Sequence, residues 1–280
     1  MTLGDGNNII TNSGSITSLQ TGSGNDKVTN TGAINNMILG AGDDIYTGSG
    51  KAELVKDGAG ADQISFGGGN DYYEATGGGG SLTDLNDIID GGAGTDLYNA
   101  AAAVDGIYIN IDAIAHEDFG KFSSVQKQTA FGNDIHNDTV KGFENVITGG
   151  GADIVYGSAA ANYLVTGGGA DQIHGYAGND DDRIIGGLGA DELWGGAGSD
   201  RFTKTRDVIR DFDSADFIDL SGIDADTKAP GDQAFVYLNA IGGKNSDTAP
   251  GAMFTKEAGQ LRTVCGWLCS RRGRQRRRQG

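Results

Sequence analysis

Between Gly167 and Phe202 an aspartate keeps returning behind a run of glycines, at Asp171, at Asp180 or Asp182, at Asp191 and at Asp200. Two residues after Asp171, Asp182, Asp191 and Asp200 stand Ile173, Ile184, Leu193 and Phe202. Glycine weakens regular structure through its backbone entropy, and crowded carboxylates repel. A chain patterned this way needs an added component that neutralises the acids and restrains the glycines.

The pattern is a nine-residue repeat, and a repeat governs the whole fold. Stepped by nine from Leu3, the frames at 21, 39, 57 and 66 read TGSGNDKVT, LGAGDDIYT, DGAGADQIS and FGGGNDYYE, and the frame at 91 reads GGAGTDLYN. A second series runs through TGGGADIVY at 148, TGGGADQIH at 166, a frame at 175 with two extra residues, GGLGADELW at 186 and GGAGSDRFT at 195. In the 175 frame either Asp180 or Asp182 can hold the sixth position. Glycine at positions two and four permits a left-handed or strained loop. Position six supplies a hard carboxylate oxygen. Positions seven to nine are extended, and the apolar residue at eight (Val28, Tyr46, Ile64, Val155, Ile173, Leu193, Phe202) points inward while its neighbours face water. Two nonapeptides make one turn of a flattened coil, with short parallel strands stacked about 4.8 Å apart. Loops one turn apart can offer paired carboxylates and loop carbonyls to an ion that takes six to eight oxygens. The sequence leads to the expectation that bound metal replaces a missing oily core as the source of folding free energy.

Composition agrees. The chain has 50 Gly but 2 Pro among 280 residues, which excludes collagen and departs from ordinary globular usage. Its formal charge is −17; residues 262–280 hold seven Arg and no acid, so the remainder stands at 14 basic against 38 acidic residues, a balance of −24. Such a body repels nucleic acid and attracts cations. The two cysteines, Cys265 and Cys269, lie in the basic tail, so no disulfide framework is expected. No run approaches the roughly 20 apolar residues of a membrane span, and MTLGDGNNIIT is not a Sec-type signal.

The frames G-x-G-x-D-x-U-x over residues 3–99 and 139–203 resemble the RTX, or hemolysin-type, calcium-binding nonapeptide repeat. The resemblance implies an all-β parallel β-roll (β-helix) solenoid: a first roll at 3–99, a β-rich insertion at 100–138, a second roll at 139–203 and a C-terminal cap at 204–262, after which an aberrant basic tail at 263–280 departs from it. It implies calcium ligands at Asp26, Asp44, Asp62, Asp71, Asp87, Asp96, Asp153, Asp171, Asp180, Asp182, Asp191 and Asp200. The loop glycines would be Gly22, Gly24, Gly40, Gly42, Gly58, Gly60, Gly92, Gly94, Gly149, Gly151, Gly167, Gly169, Gly187, Gly189, Gly196 and Gly198. Asn8 replaces the aspartate of the first loop, which predicts a weaker site there. The frames NSGSITSLQ, NTGAINNMI and GSGKAELVK lack the consensus, so one edge of the early coil is expected to be a plain polar turn.

Other motifs carry less. IYINIDAIA alternates like a half-buried strand, so segment 100–138 is either a β-excursion beside the coil or a binding loop. TVKGFENVI at 139–147 looks like the re-entry strand, with Glu144 at position six. His116 and Glu117 open HEDFG, which lacks the second histidine of a zinc protease. GSGKA lacks the residues of a phosphate loop. His116, His136 and His174 are expected at the surface, and no nucleophile–base set is found, so no enzyme activity is expected. Residues 204–262 resemble the C-terminal region of serralysin-type exoproteins, which caps the roll and adjoins an uncleaved type I secretion signal; Asp207, Asp211 and Asp213 could close a terminal site. The ending TVCGWLCSRRGRQRRRQG departs from that family and is expected to be a frameshift product, while the abrupt first repeat suggests a module of a longer protein. The expected function is calcium binding by a secreted, extracellular protein that folds outside the cell, with a structural or adhesive role or as a secretion module. Its expected partners are calcium, the type I secretion apparatus and an extracellular polysaccharide or cell surface, with neither nucleic acid nor a membrane span involved. The alternative is the accessory module of a secreted enzyme, a serralysin-type protease or an alginate epimerase. A pore-forming toxin would carry long apolar segments, which are not found.

Overall fold

A computed structural model describes residues 1–75, 86–115, 126–176, 180–203 and 207–219, with strands Phe254–Glu257 and Gln260–Thr263 described by backbone alone. The described residues contain strands and no helix. Two sheets, of fourteen and ten strands, face one another across a narrow interior. The chain alternates between them, as the paired nonapeptides require.

Register follows the repeat. In the fourteen-stranded sheet Ile10, Val28, Tyr46, Ile64, Ile89 and Val140 pair in succession as parallel neighbours. In the ten-stranded sheet the succession is Met37, Val55, Tyr73, Tyr98, Val146, Leu164, Ile184, Phe202 and Ile218. Parallel in-register stacking puts like positions over like positions, so each inward column is continuous. The position-eight residues named above are all buried, from Val28 and Ile173 at 0 % exposure to Ile64 at 2 %.

The interior corrects one expectation. It is not empty of oil: a large apolar cluster of buried residues runs from Leu19 to Ile209, with Ile154 and Tyr156 in a small one of their own. Tyr46, Phe66, Tyr73, Tyr98 and Phe143 are its largest members, in ring contacts such as Tyr73–Tyr98 at 5.2 Å. Position one also points inward in several frames, as Leu39 and Phe66 do at 0 % exposure. The nonapeptide therefore supplies more apolar volume than its glycine content suggests.

The two repeat blocks join into one roll. Leu97–Ala100 pairs directly and in parallel with Asn145–Thr148, so the ten-stranded sheet crosses the period break without interruption. Segment 100–138 enters the other sheet instead. His136–Lys141 stacks in parallel on Ile88–Asp90, Thr129–Gly132 pairs antiparallel with it, and Tyr108–Asn110 pairs antiparallel with Thr129–Gly132. Two reversals restore the direction, so Tyr108–Asn110 meets Ile154–Tyr156 in parallel and the coil resumes. The segment is thus a set of rungs within the roll, a β-excursion with its strands in line. At the far end Val208–Ile209 and Phe217–Asp219 continue the two sheets, and the antiparallel pair Phe254–Glu257 and Gln260–Thr263 lies on the Val208–Ile209 edge. Paired there, that edge no longer offers open backbone groups. His116 and Glu117, and the tail beyond Thr263, lie outside the described residues.

Candidate metal centre

Most of the described turns share one hydrogen bond. The backbone N–H of one position-six residue donates to the position-six carboxylate one rung on. Along one edge Asn8 donates to Asp26, Asp26 to Asp44, Asp44 to Asp62, Asp62 to Asp87 and Asp87 to Asp138, at 2.6–3.0 Å. The same edge resumes after the insertion with Ile107 to Asp153, Asp153 to Asp171, Asp171 to Asp191 and Asp191 to Asp207. The opposite edge runs Glu53 to Asp71, Asp71 to Asp96 and Asp96 to Glu144. It continues Asn162 to Asp182, Asp182 to Asp200 and Asp200 to Asp216.

This bond occupies one carboxylate oxygen and leaves the other. The Oδ2 atoms of Asp26, Asp44, Asp62, Asp71, Asp96, Asp171 and Asp200 are buried without a hydrogen-bond partner. A buried, unpaired carboxylate oxygen is costly, and seven of them at like positions of their turns call for a cation. Burial pushes the carboxyls of Asp62, Asp71 and Asp182 up to about 7, and those of Asp44, Asp153 and Asp200 to about 6, against the amide bonds that hold them down. Asp96, Asp171 and Glu144 are raised for the same reason.

The loop glycines frame the space beside these oxygens. At position four Gly24, Gly42, Gly60, Gly94, Gly151, Gly169, Gly189 and Gly198 have positive φ, which L side chains rarely adopt. At position two Gly22, Gly40, Gly58, Gly92, Gly187 and Gly196 do the same, while Gly149 and Gly167 do not. Those two are required by close approach instead, since a Cβ on either would lie 2.1 Å from the carbonyl oxygen of a neighbouring rung. Position-one glycines lie directly against the second carboxylate oxygens. A Cβ on Gly195 would lie 2.2 Å from Asp200 Oδ2, and one on Gly186 2.4 Å from Asp191 Oδ2.

The first loop shows which groups converge at a turn. The Asn8 amide nitrogen donates to the carbonyls of Gly4 and Gly6, at 3.2 and 2.7 Å, and to Asp26 Oδ1 at 2.9 Å. It stands in for a cation among two loop carbonyls and the carboxylate of the next rung. Oxygen-only donors of this kind, several of them ionised, suit a hard divalent ion such as Ca²⁺. The residues present therefore fit calcium.

Not all expected residues are equivalent. Asp182 is buried and takes its place in the ladder, whereas Asp180 is exposed outside it. Asp153 spends its second oxygen on the Thr148 hydroxyl, at 2.5 Å. Glu53, Asp138, Asn162 and Asp216 occupy ladder positions that the consensus did not flag. Glu53 also corrects the expectation of a plain turn at frame 48: from there on, the second edge carries carboxylates. The signal available was spacing alone, since each sits at position six with a degraded glycine frame. Asp211 accepts amide bonds from Gly195 and Gly196 and lies at position one of its frame. Asp213 bonds within its own turn, accepting from Ala215 N–H.

Two of the three histidines fall among the described residues. His174 is half-buried and stacked between Tyr156, at 4.7 Å, and Trp194, at 4.0 Å, because in-register rungs bring like positions within ring-stacking distance. His136 is half-buried at the start of an antiparallel strand.

A search of curated proteins finds none that matches the chain. The RTX calcium-binding nonapeptide repeat matches in four copies, at residues 38–73, 86–107, 147–181 and 176–203. These spans contain the ladder carboxylates from Asp44 to Asp200 except Asp138 and Glu144, together with the glycine loops beside them. With the same period, the same glycine loops and the same stacked carboxylates, the chain carries RTX calcium-binding nonapeptide repeats folded as a parallel β-roll.

Proposed function

We propose that the chain is a secreted calcium-binding roll whose folding is completed by the ion outside the cell, and that its role is structural or adhesive or that of a secretion module. The observation that carries this reading is the row of buried, partnerless Oδ2 atoms beside glycine loops in matched repeats. The ions would be held by Asp26, Asp44, Asp62, Asp71, Asp87, Asp96, Asp153, Asp171, Asp182, Asp191 and Asp200, together with loop carbonyls. Ca²⁺ supplies positive charge and oxygen affinity at those turns. The chain supplies the pre-stacked carboxylates and a backbone already bent toward them. Where calcium is scarce the ionised turns oppose stacking. Where it is millimolar, binding to the folded state alone stabilises that state by mass action. A loose chain inside and an ordered one outside suits export through a type I apparatus, and an acidic, repetitive outer face suits attachment to a surface or polymer.

Far-ultraviolet circular dichroism of the full chain in chelator, then in ~5 mM calcium, tests the coupling across the range of extracellular calcium modules. The expected result is a change from coil to β signal that saturates with the ion. A full β signal in chelator at neutral pH that calcium leaves unaltered would overturn it.

A further inference from the structure

The turn at Asp62 differs from those around it. Position one of its frame is Asp57, where the two rungs before it on that edge hold Thr21 and Leu39. Asp57, Asp62 and Asp87 are exposed by 0, 1 and 2 %, and each offers an oxygen within 4.8 Å of the others. Two oxygens on one calcium ion, at about 2.3–2.6 Å from it, lie no more than about 5 Å apart. Among the described residues this is the one group of three acids that meets such a limit.

An independent observation points at the same spot. Asp62 Oδ1 accepts the Asp44 N–H at 2.7 Å, but its Oδ2 is buried and has no hydrogen-bond partner. Asp87 Oδ1 takes the Asp62 N–H at 2.7 Å. Asp57 is held in place by the Gly58 N–H on Oδ1, at 2.7 Å, and by the Tyr73 hydroxyl on Oδ2. Tyr73 is itself buried and packed on Tyr98, so the third carboxylate is fixed from the core side.

Resting on the calcium reading above, we propose that Asp57, Asp62 and Asp87 form a single three-carboxylate cation site, and that it is the tightest site of the roll. Its neighbours on that edge bring two ladder carboxylates and an uncharged position one. Affinity in oxygen sites rises with the number of charged ligands. A divalent ion leaves this site at −1, and a trivalent lanthanide neutralises it, so terbium takes it first. The phenol of Tyr73, bonded to one ligand, lies close enough to sensitise terbium emission.

The test is calorimetric titration of the metal-stripped full chain with calcium, for wild type, Asp57→Asn and Asp57→Leu. The leucine variant carries what Leu39 shows the preceding rung accepts at that position. The tightest step is expected to weaken by ~10-fold or more in both variants while the weaker steps persist, as loss of one charged ligand requires. An unchanged tightest step in a folded variant would overturn the proposal and leave the calcium reading standing. Absence of any calcium uptake by wild type would instead sink the calcium reading. Terbium provides the second measurement on the unaltered chain. Tyrosine-sensitised emission should appear with the first equivalent, and its absence there overturns the proposal even if neither variant folds.

Discussion

Protons and calcium should compete for the same oxygens, and the competition should reverse the usual effect of acid. In the metal-free roll, burial raises the carboxyls of Asp62, Asp71 and Asp182 from 3.8 to about 7. A folded-state pKa above the unfolded one means that the folded state binds the proton more tightly. The stabilisation is therefore full below about pH 4 and is lost as pH rises through about 7. A rise of ~3 units corresponds to about 4 kcal/mol per group at 1.36 kcal/mol per unit. Water entering the open turns screens this, and half, about 2 kcal/mol per group, is a reasonable discount. Three such groups already match the 5–15 kcal/mol by which a domain is stable. The metal-free chain is thus expected to be markedly more ordered at pH 5.5 than at pH 8, short of its pI of about 4.4 where it would precipitate. Calcium, which prefers the ionised form, should restore order at pH 8 and release protons when added near pH 6.5. Circular dichroism and tyrosine fluorescence across pH, with and without the ion, plus titration of released protons, give the readout. A metal-free chain that gains β signal as pH climbs from 5.5 to 8 would refute the argument.

Three further substitutions probe the loops and the cation stand-in. Gly58→Ala places a Cβ 1.6 Å from the Gly40 carbonyl oxygen at a φ of +124°, so the rungs must part there. Backbone strain of about 1–2 kcal/mol and a lost hydrogen bond of about 1 kcal/mol predict stability lower by about 2–3 kcal/mol in calcium. Gly50→Ala, with nothing within 4 Å, should cost well under 1 kcal/mol in the same chemical denaturation. Asn8→Asp removes the amide that bridges Gly4, Gly6 and Asp26 and supplies a carboxylate. It should add one calcium to the stoichiometry measured by calorimetry, and an unchanged count would show that the first loop is not built like the others.

The repeat made most of this legible because each of its signals is local. Val28, Tyr46 and Ile173 could be assigned inward from position eight alone, since a strand of three residues has one inward direction and the coil imposes it. The loop aspartates were likewise readable, glycine frame and carboxylate together. What escaped was set by partners distant in the chain. Asp182 rather than Asp180 enters the ladder because the rung below ends at Asn162, twenty residues earlier, and the coil absorbs the two extra residues outside its strands. Glu53 joins the ladder through Asp71, and in GSGKAELVK its place at position six is the sole sign of it. The route of segment 100–138 depends on two antiparallel reversals, and alternation in IYINIDAIA fixes a face but not a partner.

The apolar column changes what calcium has to do. A chain with buried Tyr46, Tyr73 and Tyr98 in a continuous interior already gains from collapse, so the ion need not replace the core. Its task is to remove the penalty that collapse incurs. Rungs that bring inward residues under cover also bring a carboxylate at one or both edges against the one below, with one oxygen bonded to the backbone and, at Asp26, Asp44, Asp62, Asp71, Asp96, Asp171 and Asp200, the other orphaned. The two effects are locked together by the nine-residue period: position eight cannot stack without position six stacking as well. Collapse and charge burial therefore rise rung by rung in proportion. A longer array does not escape the penalty by adding core, and only a ligand that also adds rung by rung can offset it. This accounts for carboxylate ladders that run along both edges instead of being concentrated at one end. It also explains why Asp207 and Asp216 carry the ladders past the last glycine loop, where rungs still close over Ile209 and Ile218.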